Sequence, residues 1–159
     1  MRNSKMKGFT LIELIVVIAI IGVLAAILVP SMIGYVGDSK LSTANSNAKL
    51  VYTNMATYAT KCEVAGYPIP NTLDTDKVNL NTGAVGGSAA APTASVDTAA
   101  VTKALQDLMG SSSPSAGTGQ CVYGSAGTPE KSAWAKTSVD KYVGHYPQES
   151  TDKDEGWCR

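Results

Sequence analysis

Apolar and polar residues divide this chain into two unlike stretches. From Leu14 to Val29 every position is apolar, with Gly22 the weakest, and the run reaches back to Phe9 with only Thr10 and Glu13 as polar members. As a helix, the 21 residues Phe9–Val29 would be roughly 32 Å long, close to the ~30 Å hydrocarbon thickness of a bilayer. Beyond Asp38 the pattern takes on a helical period. Leu41, Ala44, Ala48, Val51, Met55, Ala59 and Cys62 recur at spacings of three and four and mark one apolar stripe, while Lys40, Asn45, Asn47 and Lys49 fall off it. Gly66, followed by Tyr67-Pro68-Ile69-Pro70, ends the helix. One long helix over Phe9–Val64 is therefore predicted. Pro30 is its interior weak point, because proline removes a backbone hydrogen bond, and Gly22, Gly34 and Gly37 are lesser ones.

The remainder is poor in large apolar side chains. Residues 67–96 read as loop, and Gly83–Ser95 within them is low in complexity. Asp97 caps a predicted short helix that ends at Met109, with Val101, Leu105 and Leu108 on one face and Gly110 closing it. Ser111–Gly119 reads as a second linker. Three strands are predicted at Gln120–Tyr123, Ala133–Thr137 and Lys141–Tyr146, from β-branched and aromatic residues with partial alternation. Gly124, Gly127 and Pro129 turn the chain between the first two, and Thr137-Ser138 before the third. Antiparallel strands packed on the helix stripe give an α+β head.

Charge sharpens the N-terminal picture. Arg2, Lys5 and Lys7 all precede Gly8, so the basic end should stay on the cytoplasmic side of a membrane and the rest be delivered outside. Without residues 1–8, ten basic groups remain against thirteen acidic ones. No basic patch supports nucleic-acid binding. Two plain readings of the apolar run are a simple anchor and a secretory signal peptide cut after Ala25. Glu13 argues against both. A carboxylate near the centre of a membrane helix costs about 2.5–3.5 kcal/mol, less toward the end, so one placed here implies a waiting partner.

The candidate chemistry is sparse. Cys62, Cys121 and Cys158 form no CxxC pair and His145 is the sole histidine, so zinc ligands are lacking. A core-poor head outside the cytoplasm favours a disulfide. Cys121–Cys158 would tie the C-terminal tail to the head, and Cys62 with either partner stays open. Asp152-x-Asp154 and Asp74-x-Asp76 are fragments of a calcium-loop pattern and read better as solvated acidic loops. Five of the ten aromatics lie in the last 37 residues. Trp134, Tyr142 and Trp157 could contact a glycan if exposed, though core and strand roles are commoner. His145 lacks a nucleophile partner in its own element and reads as a solvent-facing strand residue. No catalytic constellation, phosphate loop or cofactor motif is visible, and an enzyme is not expected.

The stretch Lys7-Gly8-Phe9-Thr10-Leu11-Ile12-Glu13 resembles the processing site of type IV prepilins and the related pseudopilins: a basic leader, Gly, Phe, then Glu five residues into the mature chain, all opening a long apolar helix. The resemblance covers about the first 30 residues closely and the rest only in layout. It implies that a prepilin peptidase cuts between Gly8 and Phe9 and that the new Phe9 amine is methylated. It implies that Glu13 pairs with the Phe9 amine of a neighbouring subunit in a homopolymer, and that the helix loses order between Gly22 and Pro30. It further implies a pilin-like fold: leader 1–8, membrane and filament-core helix 9–29, amphipathic helix 30–65, and a head over 66–159 with a small sheet and a cystine-stapled tail. The partners implied are the peptidase, the membrane, an assembly platform with its ATPase, and a polysaccharide or host surface for adhesion. The precursor would be a single-pass membrane protein with its N-terminus inside, and the product an extracellular filament. A pseudopilin of a type II secretion or competence system, or an anchored polysaccharide-binding adhesin, are the other functions considered.

Overall fold

The computed structural model describes residues 8–71, 73, 75, 77–82, 89–110, 116–151 and 156–158. Helix α1 covers Leu11–Val64. It begins two residues later than the sequence suggests, because Thr10 acts as its N-cap. It ends in a Schellman motif: Gly66 takes φ +82°, its N–H donates to the Glu63 carbonyl, and the Tyr67 N–H donates to the Cys62 carbonyl at 2.9 Å. The chain divides into two compact units, the first ending at Val36 and the second starting at Gly37.

In the first unit, helical order runs through both Gly22 and Pro30. Pro30 lacks one N–H, and the Ser31 hydroxyl donates to the Leu28 carbonyl at 2.9 Å, satisfying a neighbouring acceptor. Its large apolar side chains are all exposed, Phe9 to 80% and Ile33 to 70%.

The second unit is an α+β head. Its sheet has the order β1-β2-β3-β4, antiparallel throughout, with β1 at Val78–Asn79, β2 at Thr118–Tyr123, β3 at Pro129–Ala135 and β4 at Gly144–Tyr146. All four differ from expectation, β4 by starting at Gly144 and not at Lys141. The two-residue β1, followed by a 3-10 turn at Leu80–Thr82, lies inside the stretch read as loop. Strand β2 starts in the supposed linker, and β3 starts at Pro129, which was expected to turn. Proline is tolerated there because a strand's first residue need not donate to the ladder. The register shifts between Val122 and Tyr123, opposite that start. Helix α2, Thr98–Met109, is as expected: the Asp97 side chain accepts from the Ala100 N–H at 2.8 Å, and Val101 and Leu105 are buried.

Small residues let the sheet approach α1 closely. On one face of the sheet stand Gly119, Cys121, Ser132, Trp134, Gly144 and Tyr146, in register across three strands. A side chain at Gly144 would strike the Ala44 backbone, one at Gly119 would reach Val51, and Ser132 Oγ donates to the Ala48 carbonyl at 2.8 Å. Buried Ala44, Ala48, Val51, Met55, Ala59 and Cys62 confirm the predicted stripe.

Asn45 is the exception to that stripe. Expected off it, this residue is only 8% exposed, because its amide is a three-way clip. Asn45 Oδ1 accepts from the His145 N–H at 3.0 Å and the Ser150 N–H at 3.1 Å, and Nδ2 donates to the Ser150 carbonyl at 3.0 Å. One polar side chain thus fixes both β4 and the segment after it to the helix. Elsewhere the exposed Ser and Thr residues of this half-helix bond back to carbonyls one turn earlier, as Thr43 does to Ser39 and Thr57 to Thr53. Asn45→Ala strands two buried N–H donors, so it should destabilise the head by roughly 2–4 kcal/mol. Ser46→Ala, on the exposed side, should cost less than about 0.5 kcal/mol. Denaturant unfolding of the full chain in detergent, followed by tryptophan fluorescence, measures both, and equal midpoints would refute the role given to Asn45.

Candidate functional site

The N-terminus of α1 gathers Gly8, Phe9, Thr10 and Glu13. Glu13 Oε2 accepts from the Thr10 N–H at 2.8 Å and from the Thr10 hydroxyl at 2.7 Å, while the Glu13 N–H donates to Thr10 Oγ1 at 3.3 Å. This is a reciprocal capping box, in which the Ncap and N3 residues satisfy each other's backbone donors. Its signature in sequence is Thr-x-x-Glu ahead of an apolar run, a role for Thr10 beyond those expected from the motif. The box has a direct chemical consequence. It holds the only carboxylate of the apolar segment one residue from the Phe9 amide, the position at which cleavage after Gly8 would create an amine. Gly8 and Phe9 are both exposed, and nothing in the described residues lies within 4 Å of where a Gly8 side chain would be.

The remaining candidates are scattered. Trp134 and Tyr142 share the lining of one groove with Lys40 and Lys136, and Trp157 stands apart from it. Of the three, Trp134 is buried, and Tyr142 and Trp157 are half-buried with a lysine over one side of each ring. Trp134 is 7% exposed, and its Nε1–H donates to the Ala116 carbonyl. The Lys40 ammonium lies 5.4 Å from the Tyr142 ring centre, and that of Lys77 lies 5.2 Å from the Trp157 ring centre.

The structure does not hold the expected Cys121–Cys158 bridge. Strand alternation explains it. Cys121 points to the α1 side of the sheet, whereas Cys158 packs with Ala133, Ala135 and Val143 on the other. His145 also departs from expectation. Its backbone is held by Asn45, and its Nδ1 contacts the hydroxyl of Ser150. That hydroxyl is buried and donates to the Val143 carbonyl at 2.6 Å, so the pair is a structural lock and not an exposed nucleophile. The acids of 152–155, and Asp74 and Asp76, lie outside the described residues. Among the described ones no three metal-ligating side chains cluster.

Residues 3–29 match the family model of the prokaryotic N-terminal methylation motif. The chain is 53% identical over 51 residues to the type IV major pilin protein PilA of Myxococcus xanthus, covering 32% of this chain and 23% of that protein. It is 42% identical over 64 residues to the type IV major fimbrial protein FimA of Dichelobacter nodosus, covering 40% and 41%. To the type II secretion system core protein G of Pseudomonas aeruginosa it is 34% identical over 68 residues, covering 43% and 46%. The chain thus spans less than half the length of each of these relatives. No solved structure matches it.

Thr10→Ala should fray the first turn of α1, at a cost of about 1 kcal/mol. In detergent micelles, hydrogen exchange at the amides of Leu11–Leu14 should quicken by roughly fivefold, following that energy. Unchanged exchange would mean that the box does not hold the helix end.

Proposed function

We infer that this chain is a structural subunit of a type IV pilus-like filament, made as a membrane-held precursor and assembled once residues 1–8 are removed. One observation carries the reading. The methylation motif coincides with the first part of α1, where the large apolar side chains from Phe9 to Val29 are exposed and the one acid, Glu13, bonds to Thr10 beside Phe9. On this reading a prepilin peptidase cuts between Gly8 and Phe9 and the Phe9 amine is methylated. The basic leader keeps that end in the cytoplasm, the segment 9–29 is stored in the bilayer, and the head lies outside. An assembly platform and its ATPase then move the subunit into a homopolymer whose core is the apolar helix.

Glu13 acts in the last step. An incoming subunit brings a cationic Phe9 terminus into an apolar core, where the Glu13 carboxylate of a neighbour neutralises it. Each charge alone is costly there, so the pair fixes axial register more than it adds net stability. Packing in the filament is also where the segment between Gly22 and Pro30 could lose its helical order. Gly22 and Gly34, within the helix of the first unit, have nothing of the described chain within 4 Å of where a side chain would start, leaving room for the close approach of another helix.

A second reading, a pseudopilin of a secretion machine, is favoured by the similarity to secretion core protein G, which covers the largest share of this chain among the three relatives. Polysaccharide adhesion has less support, since Trp134 is buried and a lysine lies over one side of each of the other two rings.

Mass spectrometry of the mature protein should find a methylated Phe9 start, and a start at Ala26 would end the proposal. Glu13→Ala should leave that processing largely intact while reducing sheared filaments, seen by electron microscopy, by tenfold or more, an energy of about 1.4 kcal/mol. Normal filament yield from this variant would remove the role given to Glu13.

A further inference from the structure

The head holds a buried cluster of reactive side chains that filament assembly does not use. Cys62, near the C-terminal end of α1, and Cys121, on the α1 side of β2, are both fully buried and belong to one hydrophobic core. Tyr58, one turn before Cys62, hydrogen-bonds its thiol. Tyr123, on the same side of β2 as Cys121, lies within electrostatic reach of Cys121, Cys62 and Tyr58. Burial pushes the Tyr58 phenol up to about 12 and raises Tyr123 and the Cys62 thiol as well. The four groups therefore occupy one dry compartment between helix and sheet. Cys158 is outside it, in the small cluster on the opposite face.

We propose that Cys62 and Cys121 are the cysteines that pair, closing a disulfide between the helix spine and the sheet, and that Cys158 remains a thiol. The argument is topological. A bond from Cys121 to Cys158 would have to pass through the sheet, and Cys62 is likewise separated from Cys158, whereas Cys62 and Cys121 share one side. The bridge would enclose residues 63–120, which include α2, β1 and the Gly/Ala/Ser-rich stretch, and so tie that segment to the helix spine.

The chemistry sets when this happens. Burial raises the Cys62 thiol and shields both cysteines from an external oxidant, so the bond forms as the head folds and before the core closes. One thiolate attacks an external disulfide to give a mixed disulfide, and the second thiolate displaces it. Two protons and two electrons pass to the external disulfide, which leaves as two thiols. That such an oxidant is met in the cell rests on the reading that the head lies outside the cytoplasm. Once formed, the bridge is shielded from reductant unless the head unfolds.

The test refolds the full chain from denaturant in detergent with oxidised and reduced glutathione, blocks remaining thiols with N-ethylmaleimide, and maps peptides without reduction. The expected product is a Cys62–Cys121 cross-linked pair with Cys158 alkylated, and Cys158→Ser should keep that cross-link. A cross-link through Cys158, or alkylation of all three, would overturn the pairing, and wild type alone decides the matter if a variant fails to fold. The same mapping on protein taken from cells separates the two ideas. A pair formed in vitro but absent in cells would fault the extracytoplasmic placement and leave the pairing standing.

Discussion

The structure depends first on apolar surface that its own chain cannot cover. Fifteen large apolar residues between Phe9 and Val29 are exposed. At about 1.5–3 kcal/mol for each side chain removed from water, their burial elsewhere is favourable by tens of kcal/mol. One carboxylate in the membrane costs about 3 kcal/mol or less, too little to change where the segment goes. Glu13 therefore does not oppose the membrane; on the proposed reading it selects what the helix end meets there. The head shows the complementary economy. Having few large side chains, it gains contact by bringing sheet and helix backbones close through Ala44, Ala48, Gly119, Ser132 and Gly144.

That closeness explains why a polar residue sits at the centre of the helix–sheet contact. Where strands press against helix backbone, nearby N–H and carbonyl groups lose water and need partners inside. Asn45 offers a donor and an acceptor from one short side chain and satisfies three of them. A larger apolar residue at that position would fill space and leave those groups unpaired. The alanines on either side accomplish the packing, and Asn45 sets the register of β4 and Ser150 against the spine.

The long helix, its Schellman end, helix α2 and the stripe were legible because each depends on local periodicity or a local cap. Strand limits were less so. Val78–Asn79 is a strand only because β2 pairs with it, and two residues carry no alternation to read. Pro129 carries a turn signal that its position at the start of β3 overrides. The site itself was partly legible: Gly8, Phe9 and Glu13 stand out by residue type, whereas the role of Thr10 lies in its spacing to Glu13. The cysteines were illegible because pairing depends on which face of a sheet each occupies. Cys121 and Cys158 acquire opposite faces only through a register that no local pattern fixes.

The capping box also clarifies how the proposed assembly could proceed without exposing a naked charge to hydrocarbon. In the isolated chain the Glu13 carboxylate has two donors from Thr10, both neutral, in its own first turn. A neighbour's Phe9 amine would add a positive donor at the same end of the helix. Charge-assisted hydrogen bonds are roughly twice as strong as neutral ones, so the incoming amine can compete for a carboxylate that is already satisfied. The exchange runs from one bonded state to another, and its driving force is the difference between them, not the full cost of an unpaired ion. On the proposed reading, such a site would tolerate storage in the bilayer and still discriminate in favour of a processed subunit, because an uncleaved chain would present an amide at Phe9 and carry no charge there to offer.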